Sequence, residues 1–372
     1  MSKRVFLMVV DSLGIGNAID AEKFGDLGSN TLNSIRYQNN FKAQTLKDLG
    51  LFNIDGVGGG ISSPKAEYAR LREKSNGKDT TLGHWEIAGV TSKKPLPTYP
   101  NGFPESVIKE FEEKIGVKVL CNKPYSGTEV IKDYGELHIK TKMPIVYTSQ
   151  DSVFQIATHE DVVPIETLYE YCKIARDILT GDNAVGRVIA RPFVGEYPFT
   201  RTSRRKDFSL LPPEKTMLDK LKENNLSVIG VGKISDIFAN QGITESYKTK
   251  SNSHGYEVTL NLLNKDFTGL CFINFVDFDS VFGHRNDVLG YANAVSEFDE
   301  FLAEFIDKMS GDDMLIITAD HGCDPLTPST DHSREDVFYL RYQKGIKPKN
   351  LGVINGFDYI SKVVLENFNE SL

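Results

Sequence analysis

The sequence has 372 residues, of which 40% are hydrophobic and 25% charged, so it predicts a globular protein of about two domains. Its formal net charge of -8 argues against an extended nucleic-acid-binding surface. The four cysteines are scattered without a CxxC pair, and no apolar run approaches the ~20 residues of a membrane helix. We therefore expect a cytoplasmic protein with free thiols.

The first element in the chain is a predicted buried strand over residues 5–10, which runs directly into Asp11. The Gly-containing loop after Asp11 is typical of metal or phosphate sites, although a turn residue is the simpler interpretation of Asp11 alone. Further along, Asp79 or Thr80 is expected to cap a helix. A hydroxyl at a helix N-terminus lies where negative charge is stabilised, so Thr80 is a candidate for a phosphorylated nucleophile, with a plain cap as the alternative.

A group of prolines from residue 95 predicts an extended connector, and the pair at residues 212–213 ends the stretch that follows. Between these prolines we predict helices over 105–115 and 165–179 and strands over 143–147 and 187–193. This pattern indicates an inserted α+β domain over residues 96–212. Residues 1–95 and 213–372 are then predicted to form a discontinuous core.

Strand and helix patterns alternate again after residue 213. We predict helices over 215–224, 256–263 and 291–309, and strands over 226–231, 270–276 and 312–318. Repeated strand-then-helix order predicts a mostly parallel sheet with helices on both faces. The predicted fold class is therefore α/β.

Metal-binding types of side chain follow three of the predicted strands. The candidates are Asp11, Asp279, His284, Asp320 and His321, with His332 further downstream. Because open α/β sheets place ligands at the carboxyl ends of their strands, we expect these residues to meet at one edge. Asp oxygens and His nitrogens together suit a divalent ion such as Mn, Zn or Fe. Six candidates suffice for two ions, which could stabilise an in-line phosphoryl transfer to or from a hydroxyl such as that of Thr80.

The sequence resembles the bacterial phosphopentomutases (phosphodeoxyribomutases) of the alkaline-phosphatase superfamily. The matching segments span nearly the whole chain, inserted domain included: Val10-Asp11-Ser12-Leu13-Gly14-Ile15-Gly16, Lys78-Asp79-Thr80 with Gly83-His84-Trp85-Glu86, Tyr147-Thr148-Ser149 with Asp151-Ser152-Val153, Asp277-Phe278-Asp279 with Gly283-His284-Arg285, Ala319-Asp320-His321-Gly322-Cys323-Asp324, and Thr330-Asp331-His332. Two stretches depart from the family's pattern: Leu82 stands where a second threonine is frequent, and the segment after His332 is less apolar.

The resemblance implies an alkaline-phosphatase-like core, an inserted cap and a site for two Mn²⁺ ions. The implied ligand sets are Asp279, His284 and His332 for one ion, and Asp11, Asp320 and His321 for the other. Thr80 would lie between the ions as the phosphorylated residue, with Thr81 as the alternative.

The resemblance also implies substrate contacts. Ser149 and Asp151 would contact sugar hydroxyls, whereas Arg187, Arg201 and Lys233 would contact the distal phosphate. For each charged residue a surface salt bridge is the alternative, most strongly for Arg187.

The implied reaction interconverts α-D-ribose 1-phosphate and D-ribose 5-phosphate, and the 2-deoxy forms, through a phosphothreonine and a bisphosphate intermediate. A sugar bisphosphate would prime the enzyme, and the cap would exclude water. The expected partners are small pentose phosphates rather than nucleic acid or membrane, and the expected state is a monomer or weak oligomer. A metal-dependent phosphatase or a phosphoglycerate-type mutase is the nearest alternative, and a metal-stabilised binding protein is a more distant one.

Overall fold

The structure, a computed structural model, describes residues 3–149 and 151–369. These residues divide into two compact units. Unit 1 comprises the chain up to Pro95 together with the chain from Pro212 onward, and unit 2 is the continuous segment Leu96–Leu211.

The described residues form fourteen strands and eleven α-helices. The strands are β1 (Arg4–Val10), β2 (Glu67–Arg72), β3 (Leu120–Pro124), β4 (Ile145–Thr148), β5 (Val153–His159), β6 (Arg187–Val194), β7 (Thr200–Arg201), β8 (Lys206–Ser209), β9 (Ser227–Val231), β10 (Glu245–Tyr247), β11 (Gly269–Phe275), β12 (Asp313–Thr318), β13 (Val337–Tyr342) and β14 (Lys349–Asn355). The helices are α1 (Thr31–Ile35), α2 (Gln44–Leu49), α3 (Thr80–Ile87), α4 (Glu105–Ile115), α5 (Glu129–Thr141), α6 (Ile165–Ile178), α7 (Met217–Glu223), α8 (Ile234–Ile237), α9 (Asn252–Leu262), α10 (Val288–Lys308) and α11 (Tyr359–Asn367).

Unit 1 is built on an eight-stranded sheet in the order β10-β9-β11-β1-β12-β13-β2-β14. The central strand β1 pairs in parallel with β11 on one side and β12 on the other. Every residue of these three strands is buried, as expected for parallel strands covered on both faces. The predicted mostly parallel α/β sheet is therefore confirmed, and the carboxyl ends of β11, β1 and β12 lie side by side at one edge.

Unit 1 differs from the sequence prediction in several elements, because β2, β10, β14, α1, α2, α8 and α11 were not predicted. Strand β13 was not predicted, and it runs antiparallel to both of its neighbours, β12 and β2. Helix α9 begins at Asn252, four residues before the predicted start, because the Ser251 side chain accepts a hydrogen bond from the His254 backbone N–H and so caps the helix there. None of the helices in the described part of the chain has the length and apolar composition needed to cross a bilayer.

Unit 2 contains a six-stranded sheet in the order β3-β4-β5-β6-β7, with β8 also paired to β6. One apolar cluster includes Phe111 of α4, Phe154 of β5 and Leu168 of α6, and a second cluster includes Val130 of α5 and Phe193 of β6. Because the strand β5 contributes Phe154 to one cluster and Ala157 to the other, the sheet has an apolar core on each face.

Candidate metal centre and nucleophile

Two buried carboxylates stand at the ends of adjacent strands. The Oδ2 atom of Asp11 accepts a hydrogen bond from the Asn274 side chain at 2.8 Å, and Asp320 Oδ1 accepts one from the Ser12 backbone N–H at 3.1 Å. Their other oxygens, Asp11 Oδ1 and Asp320 Oδ2, are buried without a well-aligned hydrogen bond among the described residues, although His84 Nδ1 lies 3.0 Å from Asp320 Oδ2. A buried anionic oxygen without a donor is costly unless a cation compensates it, so this pair fits a metal ion.

His321 completes this first group. Its Nδ1 lies 3.0 Å from the Gly322 carbonyl oxygen, which can only accept, so Nδ1 carries a hydrogen and Nε2 is the nitrogen that can bind a metal ion. That Nε2 lies 3.4 Å from Asp11 Oδ1 and 3.3 Å from Asp320 Oδ2. The three ligand atoms lie within 4.8 Å of one another, which is close enough to surround one ion.

A second group lies beyond strand β11. Asp279 belongs to a single π-helical turn, Phe278–Phe282, and His284 to the short 3-10 turn that follows it. Asp279 Oδ2 is 3.2 Å from His284 Nε2, and Asp279 Oδ1 is 3.3 Å from His332 Nε2. The Nε2 atoms of His284 and His332 are 3.1 Å apart. At this distance two nitrogen lone pairs repel each other unless one nitrogen is protonated or a metal ion binds them. His284 Nδ1 donates to the Thr330 carbonyl oxygen at 2.6 Å, which directs its Nε2 into the group.

The charges in these groups depend on one another. Burial alone would raise the pKa of the Asp279 carboxyl, but His332 and His284 outweigh it and hold that pKa well below the usual value. Burial opposes protonation of His284, yet Asp279 raises its pKa to about 9. Burial, followed by the charge of Asp320, raises the pKa of Asp11. A metal ion bound here would therefore displace protons held on imidazole nitrogens.

Thr80 is the first residue of helix α3 and faces the first group. Its Oγ1 lies 3.0 Å from His321 Nε2. The Asp79 side chain caps the helix by accepting from the backbone N–H groups of Thr81 and Leu82, at 3.0 and 3.1 Å. The structure therefore places the Thr80 hydroxyl beside the candidate metal ligand His321.

Helix α3 is fixed by residues of its own Gly-His-Trp-Glu segment. The His84 Nδ1–H donates to the Thr80 carbonyl oxygen at 2.9 Å and also lies 3.0 Å from Asp320 Oδ2. A Cβ on Gly83 would stand 2.2 Å from the Asp320 carbonyl oxygen, so only glycine allows this approach. The Glu86 carboxylate accepts from three backbone N–H groups, including that of Phe357 at 2.9 Å. These contacts hold the nucleophile turn against the metal-ligand loop.

Sequence reasoning missed two residues at this site. Cys323 is buried, and its sulfur lies within 4.8 Å of ligand atoms of Asp279 and His284, although the absence of a CxxC pair gave no reason to expect a thiol here. Glu335 is buried and accepts from Gly16 N, from Thr31 N and Oγ1, and from Ser333 Oγ. It therefore links the loop after β1 to the loop that carries His332. The only signal in the sequence was the run of polar residues before β13.

The predicted substrate contacts lie in different local settings. In unit 2, Ser149 Oγ accepts from the Asp151 backbone N–H at 3.3 Å, Arg187 lies 3.5 Å from Asp207 Oδ2, and Arg201 is exposed on β7. The Arg187–Asp207 contact is the salt bridge that was the alternative for Arg187. In unit 1, Lys233 lines a pocket of about 290 Å³ together with Lys248, Lys250 and Ser280, among other residues.

Comparison with known proteins gives consistent results. The family model of the metalloenzyme superfamily matches residues 3–371. A phosphopentomutase of Lachnoclostridium phytofermentans is 58% identical over 99% of this chain and 95% of its own length. A phosphopentomutase of Acetivibrio thermocellus is 55% identical over 97% of this chain and 95% of its own length. Among solved structures, the PH0037 protein of Pyrococcus horikoshii has a TM-score of 0.53 and 15% identity, covers 100% of this chain and 99% of its own, and shares the fold.

Proposed function

This chain belongs to the phosphopentomutases of the metalloenzyme superfamily, and from that premise we propose that it interconverts α-D-ribose 1-phosphate and D-ribose 5-phosphate, and their 2-deoxy forms, in nucleoside catabolism. The enzyme is a metal-dependent phosphotransferase of the isomerase class. The observation that carries the proposal is the Thr80 hydroxyl, 3.0 Å from His321 Nε2 in the first of two groups of Asp and His ligand atoms.

We propose that the two groups hold two divalent ions, most simply Mn²⁺. Asp11, Asp320 and His321 would hold one ion, and Asp279, His284 and His332 the other. Support comes from the oxygens of Asp11, Asp320 and Asp279 that lack a well-aligned hydrogen bond among the described residues, and from the two imidazoles whose Nδ1 atoms donate to carbonyl oxygens. Mixed carboxylate and imidazole ligands suit Mn²⁺. When bound, such ions neutralise the charge of the transferring phosphoryl group and of the oxygens on either side of it.

Thr80 is the proposed carrier of the phosphoryl group. Its bond to phosphorus breaks as the free hydroxyl of the bound pentose monophosphate takes the group, which gives a pentose bisphosphate. The bisphosphate then returns its other phosphoryl group to Thr80 Oγ1, and the isomer leaves. The position of Thr80 on the first turn of α3 supports this role, because backbone N–H groups and the helix dipole at that end stabilise negative charge.

Substrate recognition is assigned to the residues that the sequence indicated. We propose that Ser149 and Asp151 contact sugar hydroxyls and that Arg187, Arg201 and Lys233 contact the distal phosphate. The pocket at Lys233 supports the last assignment, because three lysines line it against two carboxylates, Asp236 and Asp277. A sugar bisphosphate is the proposed primer, and the cytoplasm is the proposed location.

A metal-dependent phosphatase is the alternative, because the same groups would serve hydrolysis if water replaced the sugar hydroxyl. The test is a Mn²⁺-supplemented assay of ribose 5-phosphate, primed with a sugar bisphosphate, that follows ribose 1-phosphate and free phosphate together. Thr80→Ala is the test variant and Thr81→Ala its matched control. We expect isomerisation without stoichiometric phosphate release, lost in Thr80→Ala and retained in Thr81→Ala.

Other outcomes would contradict parts of the proposal. Phosphate release without an isomer would establish a phosphatase. Full activity of Thr80→Ala would refute the phosphothreonine assignment, and peptide mass spectrometry after incubation with the bisphosphate would then locate the residue that carries the phosphoryl group.

A further inference from the structure

A second pocket in unit 1 involves none of the residues assigned above. Its volume is about 420 Å³. The lining residues belong to the segment from the end of α1 to the glycine-rich loop after α2: Arg36, Phe41, Lys42, Ala43, Gln44, Lys47, Phe52 and Gly59. Since this volume is typical of small-molecule sites, the chemistry of its walls indicates what it can bind.

The charge of the pocket is one-sided. Three cations line it, Arg36, Lys42 and Lys47, and no carboxylate is among the lining residues. None of the three forms a salt bridge within residues 3–149 and 151–369. The nearby carboxylate of Asp48 is bound by Lys65 at 2.7 Å, and Lys65 is also the main reason for its lowered pKa. Although the whole chain has a net charge of -8, the lining of this pocket is positively charged and suits an anion.

Arg36 is held in place without being neutralised. Its two terminal nitrogens donate to the carbonyl oxygens of Val57 and Gly58, at 2.8 and 2.9 Å. A Cβ on Gly59 would stand 2.8 Å from one of these nitrogens, and Gly59 has φ +88°, so a side chain at this position would disturb the guanidinium. The loop is therefore shaped around a guanidinium that is fixed in position and keeps its full charge.

Aromatic surfaces accompany these cations. The guanidinium carbon of Arg36 lies 4.7 Å from the ring centre of Phe52 and 5.5 Å from that of Tyr37. Phe52 is buried and supports the guanidinium from below, whereas Phe41, which also lines the pocket, is only partly buried. Cations bind phosphate oxygens, whereas aromatic rings and a guanidinium plane stack on flat heterocycles. A ligand that contacts both the cations and the aromatic side chains of this pocket carries a phosphate group and an aromatic ring.

We propose that this pocket binds a nucleotide, with its phosphates on Lys42, Lys47 and Arg36 and its base against the partly exposed ring of Phe41. The proposal is independent of the reaction assigned above, because no residue of the pocket is a proposed ligand, nucleophile or substrate contact. It gives the protein a nucleotide site in addition to the proposed catalytic site.

The test is calorimetric titration of the full-length, Mn²⁺-loaded protein with ADP, in the presence of saturating ribose 5-phosphate to occupy the catalytic site. Pyrophosphate and adenosine are titrated in parallel. The test variant is Lys42→Glu/Lys47→Glu, and the matched control is Lys347→Glu, which reverses the charge of an exposed lysine outside the pocket. Gly59→Ala is a second variant, which acts through the position of Arg36.

We expect saturable ADP binding that weakens at least ~10-fold in the double variant and in Gly59→Ala, and stays unchanged in Lys347→Glu. We also expect weaker binding of pyrophosphate and of adenosine than of ADP. Absence of saturable ADP binding, or equal affinity in the double variant, would overturn the proposal. Equal affinity for pyrophosphate and ADP would overturn the nucleotide assignment and leave an anion site.

Discussion

Replacement of Glu335 by alanine tests whether the two ligand-bearing loops depend on one buried carboxylate. The side chain accepts hydrogen bonds from Gly16 N at 3.1 Å, Thr31 N at 3.0 Å, and the hydroxyls of Thr31 and Ser333 at 2.8 Å. A Cβ on Gly14 would stand 2.3 Å from the Glu335 side chain, so the loop after β1 is packed directly against it. Glu335→Ala therefore removes the side-chain hydrogen bonds between Asp11's loop and His332's loop, while backbone hydrogen bonds such as Ile15 N–H to the Asp336 carbonyl oxygen remain.

The expected loss of stability depends on which hydrogen-bond donors can find new partners after the substitution. The hydroxyls of Thr31 and Ser333 can rotate, but the backbone N–H groups of Gly16 and Thr31 cannot. Each buried donor left without a partner costs ~1–3 kcal/mol, so the loss of partners for these two donors should lower the free energy of unfolding of unit 1 by ~2–6 kcal/mol. Affinity for Mn²⁺ should fall as well, because both loops carry proposed ligands.

The assay is urea unfolding followed by the fluorescence of Trp85, the single tryptophan, which is buried in unit 1 and reports on that unit alone. The matched control is Glu300→Ala, an exposed glutamate on α10, for which we expect a change within ~0.5 kcal/mol. If Glu335→Ala changed the unfolding free energy as little as the control, the carboxylate would not be the link between the loops.

Three further predictions concern the same region. Burial raises the pKa of Glu335 from 4.5 to about 7, so between these pH values the folded protein keeps a proton that the unfolded chain releases. The stability that this proton contributes is fully present below pH 4.5 and is lost as pH rises through 7, so the free energy of unfolding falls by ~3 kcal/mol over that range. The free energy of unfolding of Glu335→Gln should not fall in this way. Parallel pH profiles for the two proteins would contradict the prediction. Gly83→Ala must displace the Asp320 backbone, so we expect reduced Mn²⁺ content by elemental analysis, and full content would show that the helix can shift without cost. Asp79→Ala removes the cap of α3 and should cost ~1 kcal/mol in the same urea assay, whereas Asp79→Ser should restore most of it.

The central part of the fold was predictable because its signal is local. The apolar runs that became β1, β11 and β12 are buried on both faces, and that burial requires continuous hydrophobic sequence. Since all three strands are parallel, their carboxyl ends had to meet, which brought Asp11 and Asp320 together. The helix at Glu105–Ile115 was predicted within the same bounds because its apolar positions recur at helical spacing.

The remainder depends on contacts between distant parts of the chain, which a local pattern does not reveal. Strand β13 follows Arg334, Glu335 and Asp336, which are all buried although a run of charged residues has no strand pattern. In the structure Arg334 binds Glu73 and Asp20, and Asp336 binds Arg70 and Arg72. Buried charges are tolerated only because these partners surround them, and each partner comes from a remote segment. Cys323 was missed for the same reason, because the nearby ligand atoms of Asp279 and His284 belong to a distant part of the chain.

The order in which the ligands occur along the chain bears on how the protein is made. Unit 2 is one uninterrupted segment, so its sheet can form while the C-terminal part of the chain is still being synthesised. Strand β1 leaves the ribosome first, yet its neighbour β12 is far away in sequence: Arg4 pairs with Asp313, 309 residues later. His332, the last proposed ligand, follows later still. The nascent chain must therefore keep an apolar strand and a lone Asp11 without partners for most of translation, and it can capture its ions only when synthesis is nearly complete.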